Sequence, residues 1–127
     1  MTFAHVSVRA SDMDRSIAFY HDFFGMELTQ RRPIPQNKAE IAFLKDPGAD
    51  FSLELTHYDV QKKFEQAPYP DRTFDHLAFR VKDLREMVER IRSKGFVISD
   101  EPFELSPGKW LAFVEDPDGT LIELIQS

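Results

Sequence analysis

Ala112-Phe113-Val114-Glu115-Asp116-Pro117-Asp118-Gly119-Thr120-Leu121-Ile122-Glu123-Leu124 reads as a strand, a tight turn and a returning strand. Asp-Pro-Asp-Gly is strong turn chemistry: proline presets φ, aspartate side chains bond the backbone just ahead, and glycine accepts a positive φ. The same text stands earlier in the chain, where Ala42-Phe43-Leu44-Lys45-Asp46-Pro47 precedes Leu53-Glu54-Leu55, 69 to 70 residues upstream. Working outward, Gly25 is matched by Gly95, Asp12 by Asp83 and His5 by His76, at spacings of 70 to 71 residues. The chain is therefore two copies of one unit, each with a histidine near its start and a glutamate on its last strand. Two copies are too few for a stacked solenoid, so the repeat implies a paired-module fold.

Each copy reads as β-α-β-β-β. In the first, residues 3–10 alternate, with His5, Ser7 and Arg9 on one side and Val6 and Val8 on the other. Ser11 or Asp12 caps a helix that Gly25 ends, with Met13, Ile17, Tyr20 and Phe24 as its apolar stripe. Strands follow at 27–32, 39–45 and 51–58. In the second copy, residues 74–81 form a strand. Asp83 caps a helix with Leu84, Met87, Val88 and Ile91 inward, and Gly95 stops it. Strands follow at 96–98, 109–115 and 120–125, and 102–108 reads as a loop. The expected class is α+β: a single domain over 1–127, made of module 1 (1–58), a linker (59–73) and module 2 (74–127). The linker carries Pro68 and Pro70, with a helical turn expected near 60–66.

Composition narrows the function. A chain of 127 residues, 42% hydrophobic with 12 Phe, can bury a real core. Net charge is −6, pI is about 5.2, and no basic run exists, which argues against a nucleic-acid or membrane-surface binder. The absence of cysteine removes disulfides, zinc–thiolate clusters and a thiol nucleophile. Residues 1–5 lack the order of a signal peptide, and no apolar run approaches spanning length, so a soluble cytoplasmic protein is expected.

The chemistry lies in His5, Glu54, His76 and Glu123. A carboxylate between apolar strand neighbours, as in Leu53-Glu54-Leu55 and Ile122-Glu123-Leu124, is costly unless it is paired or bound to a cation. One such position is ordinary, but two at equivalent repeat positions, each matched to a histidine, point to a divalent metal. Imidazole and carboxylate suit Zn, Ni, Fe, Mn or Co, and four protein ligands leave room for substrate on a six-coordinate ion. Arg9 and Arg80 also repeat, each four residues past its histidine. Arg9 is read either as an anchor for a substrate carboxylate or as one half of a salt bridge. His21 has no repeat counterpart and His57 lies on the strand face opposite Glu54; both are assigned to surface or loop roles.

His5-Val6-Ser7-Val8-Arg9, Asp14-Arg15-Ser16-Ile17-Ala18-Phe19-Tyr20, Gly25-Met26-Glu27-Leu28 and 112–119 together resemble the vicinal oxygen chelate superfamily. Within it they are most similar to the short bacterial glyoxalase I (lactoylglutathione lyase) group. The resemblance covers nearly the whole chain. It implies paired modules forming a curved mixed sheet around a metal cleft, and a homodimer. It also implies one divalent ion per site (Ni, Co or Zn) on His5, Glu54, His76 and Glu123. The implied substrate is the hemithioacetal of methylglyoxal and glutathione, converted to S-lactoylglutathione through an enediolate. Glu123 would be the base, Glu54 its mirror on the other face, and Arg9 a contact for the glutathione carboxylate. Tyr58 departs from the asparagine usual in that group. Other activities of the superfamily compete, namely an epimerase or a ring-cleaving dioxygenase. So does a metal-free drug- or metabolite-binding protein of the same fold, although such relatives often lose the His and Glu set that this chain keeps.

Overall fold

The computed structural model describes all residues, 1–127. The chain divides into two compact units, Met1–Phe64 and Glu65–Ser127, each with one four-stranded sheet and one main helix.

The first unit runs β1 (His5–Arg9), α1 (Met13–Phe24), β2 (Glu27–Ile34), β3 (Ala39–Lys45) and β4 (Ser52–Tyr58). Its sheet order is β1-β4-β3-β2, with β1 parallel to β4 and the other pairs antiparallel. Parallel pairing requires a crossover, and α1 lies within it. The second unit repeats the plan with β5 (Leu77–Arg80), α2 (Leu84–Ser93), β6 (Ile98–Ser106), β7 (Lys109–Glu115) and β8 (Leu121–Gln126), in the order β5-β8-β7-β6. The β-α-β-β-β reading of both copies holds.

Each sheet has a core face and an open face. In the first unit Val8, Ala42, Leu44, Leu53 and Leu55 are buried. They turn toward α1, whose buried residues are Met13, Ser16, Phe19, Tyr20 and Phe23. In the second, Ala112, Val114, Ile122 and Leu124 meet Leu84, Val88 and Ile91 of α2. Because side chains alternate along a strand, His5, Ser7, Arg9, Glu54, Thr56 and Tyr58 share the other face of the first sheet. Glu123 shares the other face of the second with Leu121 and Ile125.

Helix ends follow the sequence closely. Asp12 and Asp83 accept hydrogen bonds from the backbone N–H groups of Arg15 and Glu86, and Gly25 closes α1 in the left-handed region at φ 67°. The Asp116 turn is a structural device, as its chemistry suggests. Its Oδ1 accepts from the N–H groups of Asp118 and Thr120, both at 2.9 Å, and the residue is buried. Asp116→Ala orphans both donors and is expected to lower unfolding free energy by about 1–3 kcal/mol. Denaturant titration at unchanged m-value checks this, and a loss under 0.5 kcal/mol would contradict the assigned role.

Four expectations need correction. The α1 stripe keeps Met13 and Tyr20 but is otherwise shifted by one residue: Ser16, Phe19 and Phe23 are buried, while Ile17 and Phe24 are half-buried. No helix forms at 60–66, and a single 3-10 turn lies at Tyr69–Asp71 instead. The strand expected at 74–81 is confined to Leu77–Arg80, so His76 precedes it. Most of the 102–108 loop is strand, because β6 continues to Ser106 as an edge strand on β7 with repeated register shifts. Pro102 is tolerated there because an edge strand has one side without a ladder partner. Arg92 of α2 pairs with Glu101 on this strand, and that pairing holds the Glu101 carboxyl below its usual range. No helix is long and apolar enough to cross a membrane.

Candidate functional site

The same three side-chain types recur on the open face of each unit. Phe43 pairs across the ladder with Glu54, and Phe113 pairs with Glu123. The ring of His5 lies edge-on to Phe43 at 5.3 Å, and the ring of His76 lies edge-on to Phe113 at 5.5 Å. Glu54 stands opposite Ser7, two residues past His5, and Glu123 stands opposite Ala78, two residues past His76. Pairing register and aromatic support thus place each histidine and the glutamate of its own unit beside the same phenylalanine.

The second unit forms the tighter pair. His76 Nε2 lies 2.8 Å from Glu123 Oε2, and the Glu123 side chain is 16% exposed. Asp75 Oδ1 is 2.7 Å from His76 Nδ1. An imidazole that donates Nδ1–H to Asp75 turns a lone pair on Nε2 toward the carboxylate. Two lone-pair atoms at that distance need a proton or a cation between them. The donor chemistry therefore fits a divalent ion, and the Asp75–His76 contact is the arrangement that orients a metal-binding histidine. Position 4 of the first unit, where Asp75 would repeat, is alanine. Neither unit by itself gathers three or more histidine, aspartate or glutamate side chains able to hold a metal ion.

In the first unit Glu54 Oε1 accepts from Thr56 Oγ1 at 3.1 Å, and the Ser7 and Thr56 hydroxyls are 2.9 Å apart. These residues border a cavity of about 480 Å³ that is also lined by Arg9, Asn37 and Tyr58. Arg9 stacks on Tyr58, its guanidinium carbon 4.2 Å from the ring centroid, and donates Nη1 to the Gln61 side chain at 3.0 Å. Its charge is met by an aromatic face and an amide rather than by a carboxylate, so the salt-bridge alternative fails. An unneutralised guanidinium on a cavity wall can receive an anionic group.

His21 and His57 stand apart from this face. His21 Nδ1 lies 3.0 Å from the Met26 carbonyl, at the end of α1. His57 is on the core side of β4, the face opposite Glu54 as its parity implies, with Nδ1 2.9 Å from the Ala10 carbonyl. Sequence reasoning passed over Ser7, Thr56, Asp75 and the two supporting phenylalanines. The adjacency of Asp75 to His76 was a visible signal, whereas the hydroxyl pair spans 49 residues and had none.

Residues 2–124 match the family described as the Glyoxalase/Bleomycin resistance protein/Dioxygenase superfamily. The chain is 39% identical to a lactoylglutathione lyase from Arabidopsis thaliana, over 98% of its own length and 44% of the relative's. It is 35% identical to a probable lactoylglutathione lyase from Synechocystis sp., over 100% of its own length and 96% of the relative's. Among solved structures, glyoxalase I from Zea mays superposes with a TM-score of 0.81 at 36% identity, covering 97% of this chain and 43% of that one. The chain thus spans under half the length of the plant proteins it resembles, and nearly all of the cyanobacterial one.

Proposed function

Because the chain belongs to the Glyoxalase/Bleomycin resistance protein/Dioxygenase superfamily, we propose that it is a metal-dependent lyase of the lactoylglutathione lyase type. Its substrate would be the hemithioacetal of methylglyoxal and glutathione, and its product S-lactoylglutathione. The metal ligands would be His5, Glu54, His76 and Glu123, with the site completed in a homodimer in the cytoplasm. The single observation that carries the proposal is the His76–Glu123 pair, whose facing nitrogen and oxygen, 2.8 Å apart, take a proton or a cation between them. Relatives named lactoylglutathione lyase over nearly the full chain support the reaction class.

When bound, a divalent ion would act as a Lewis acid toward the substrate's adjacent oxygens. The remaining work falls to the chain. Isomerising the hemithioacetal to a thioester moves a proton from one carbon to its neighbour. Glu123, half-buried against Phe113 and Ile125, would accept that proton on a carboxylate oxygen and return it one carbon along. Glu54 would serve the opposite face. Arg9, on the cavity wall, would hold the substrate's carboxylate. Asp75 would keep the Nδ1 proton of His76 in place, leaving Nε2 as the donor atom.

The test has two steps. Untagged protein is stripped with a chelator and reloaded with Ni, Co or Zn, and thioester formation from methylglyoxal and glutathione is then followed. Chelation should remove activity to background, and at least one ion should restore it. Failure of all three ions to bind would return the chain to the metal-free binding reading. Stoichiometric binding without thioester formation would reject the substrate and keep the metal site.

A further inference from the structure

The two glutamates occupy repeated positions, but their surroundings differ. Glu54 pairs across the ladder with Ser7, and Thr56 pairs with Arg9. In the second unit Glu123 pairs with Ala78, and Ile125 pairs with Arg80. Register therefore equates Ser7 with Ala78 and Thr56 with Ile125. Both hydroxyls beside Glu54 are replaced by hydrocarbon beside Glu123.

The proton directions in the first unit are determined. A carboxylate only accepts, so Thr56 gives its single hydroxyl proton to Glu54 Oε1 at 3.1 Å. Thr56 Oγ1 can then only accept from Ser7, 2.9 Å away, so Ser7 donates. The relay runs Ser7 to Thr56 to Glu54. Its middle member is buried, 5% exposed, and its side chain is β-branched and therefore stiff. Glu123 has no hydroxyl partner, and its contact is the His76 imidazole at 2.8 Å.

We propose that Ser7 and Thr56 are positioning residues that hold the Glu54 carboxylate in one orientation. This rests on the reading that both glutamates serve one metal-dependent reaction. The relay leaves one oxygen of Glu54 uncommitted, as a fixed ligand requires.

Thr56→Val removes the hydroxyl and keeps the buried shape, Thr56→Ser restores the donor, and Ser7→Ala removes only the outer link. Crystal structures of the metal-free proteins are expected to show the Glu54 carboxylate leaving its orientation in Thr56→Val and keeping it in Thr56→Ser. A carboxylate that stays in place in Thr56→Val overturns the proposal, whether or not the protein binds metal. Cobalt(II) titration against a competing chelator, followed by the visible absorption of the ion, is the second readout. Thr56→Val should weaken binding about tenfold and alter the spectrum, Ser7→Ala should weaken it less, and Thr56→Ser should restore both. Unchanged affinity and spectrum in Thr56→Val overturn the proposal, whereas failure of the unsubstituted protein to bind cobalt counts against the metal-dependent reading itself. In that case the metal-free structures still decide whether the relay positions Glu54.

Discussion

Glu123→Gln is expected to lower kcat by about 10²–10⁴-fold, the range typical of a lost general base. An amide keeps the size and packing of the carboxylate between Phe113, Ala78 and Ile125 but cannot take up a proton at neutral pH. Its amide N–H can donate to His76 Nε2 and its carbonyl oxygen can still meet a cation, so metal content should survive better than turnover. The fold should be unaffected, because the core residues Ile122 and Leu124 on either side point the other way. Circular dichroism, metal analysis and steady-state kinetics on one preparation separate these effects. A variant that folds, retains metal and turns over at the original rate would remove Glu123 from the role of base. A variant that loses metal and activity together would make it a ligand first.

Leu124→Ala should have the largest effect on stability, lowering unfolding free energy by about 2–5 kcal/mol. Leu124 is fully buried, and it is the residue behind Glu123 on the same strand. Its ladder partners are Ala112 and Phe79. Ala112 is already small, so the cavity would have little nearby volume to fill it. The loss should appear as a lower midpoint in denaturant. If the midpoint hardly moves, the β7–β8 core has enough slack to collapse around the missing side chain.

The repeat made the fold legible because duplication writes each structural decision twice. Gly25 and Gly95, Asp12 and Asp83, and the two Asp-Pro turns mark the same boundaries in both copies, and single-residue accidents cancel. His5, Glu54, His76 and Glu123 emerged as candidates for the same reason. Where the copies diverge, the sequence was a poorer guide. Residues 103–106 do alternate, but Pro102 before them and Pro107-Gly108 after them read as loop chemistry, and the edge strand takes its order from the β7 partner. The apolar stripe of α1 is Phe- and Tyr-rich around much of its circumference, so only packing against β3 and β4 decided that Phe19 and Phe23, not Ile17 and Phe24, face inward.

From the sequence alone came two β-α-β-β-β copies, their caps and turns, the acidic cysteine-free composition, and one histidine and one glutamate in each half. These rest on local rules: side-chain period, backbone φ preferences, and the cost of a carboxylate among apolar neighbours. Tertiary structure alone decided that Ser7 lies beside Thr56, that Arg9 is covered by Tyr58, that Asp75 and Glu123 flank one imidazole, and that Thr56 donates to Glu54. The physical reason is strand pairing, which brings residues some 50 positions apart to hydrogen-bonding distance in a register that no local pattern encodes.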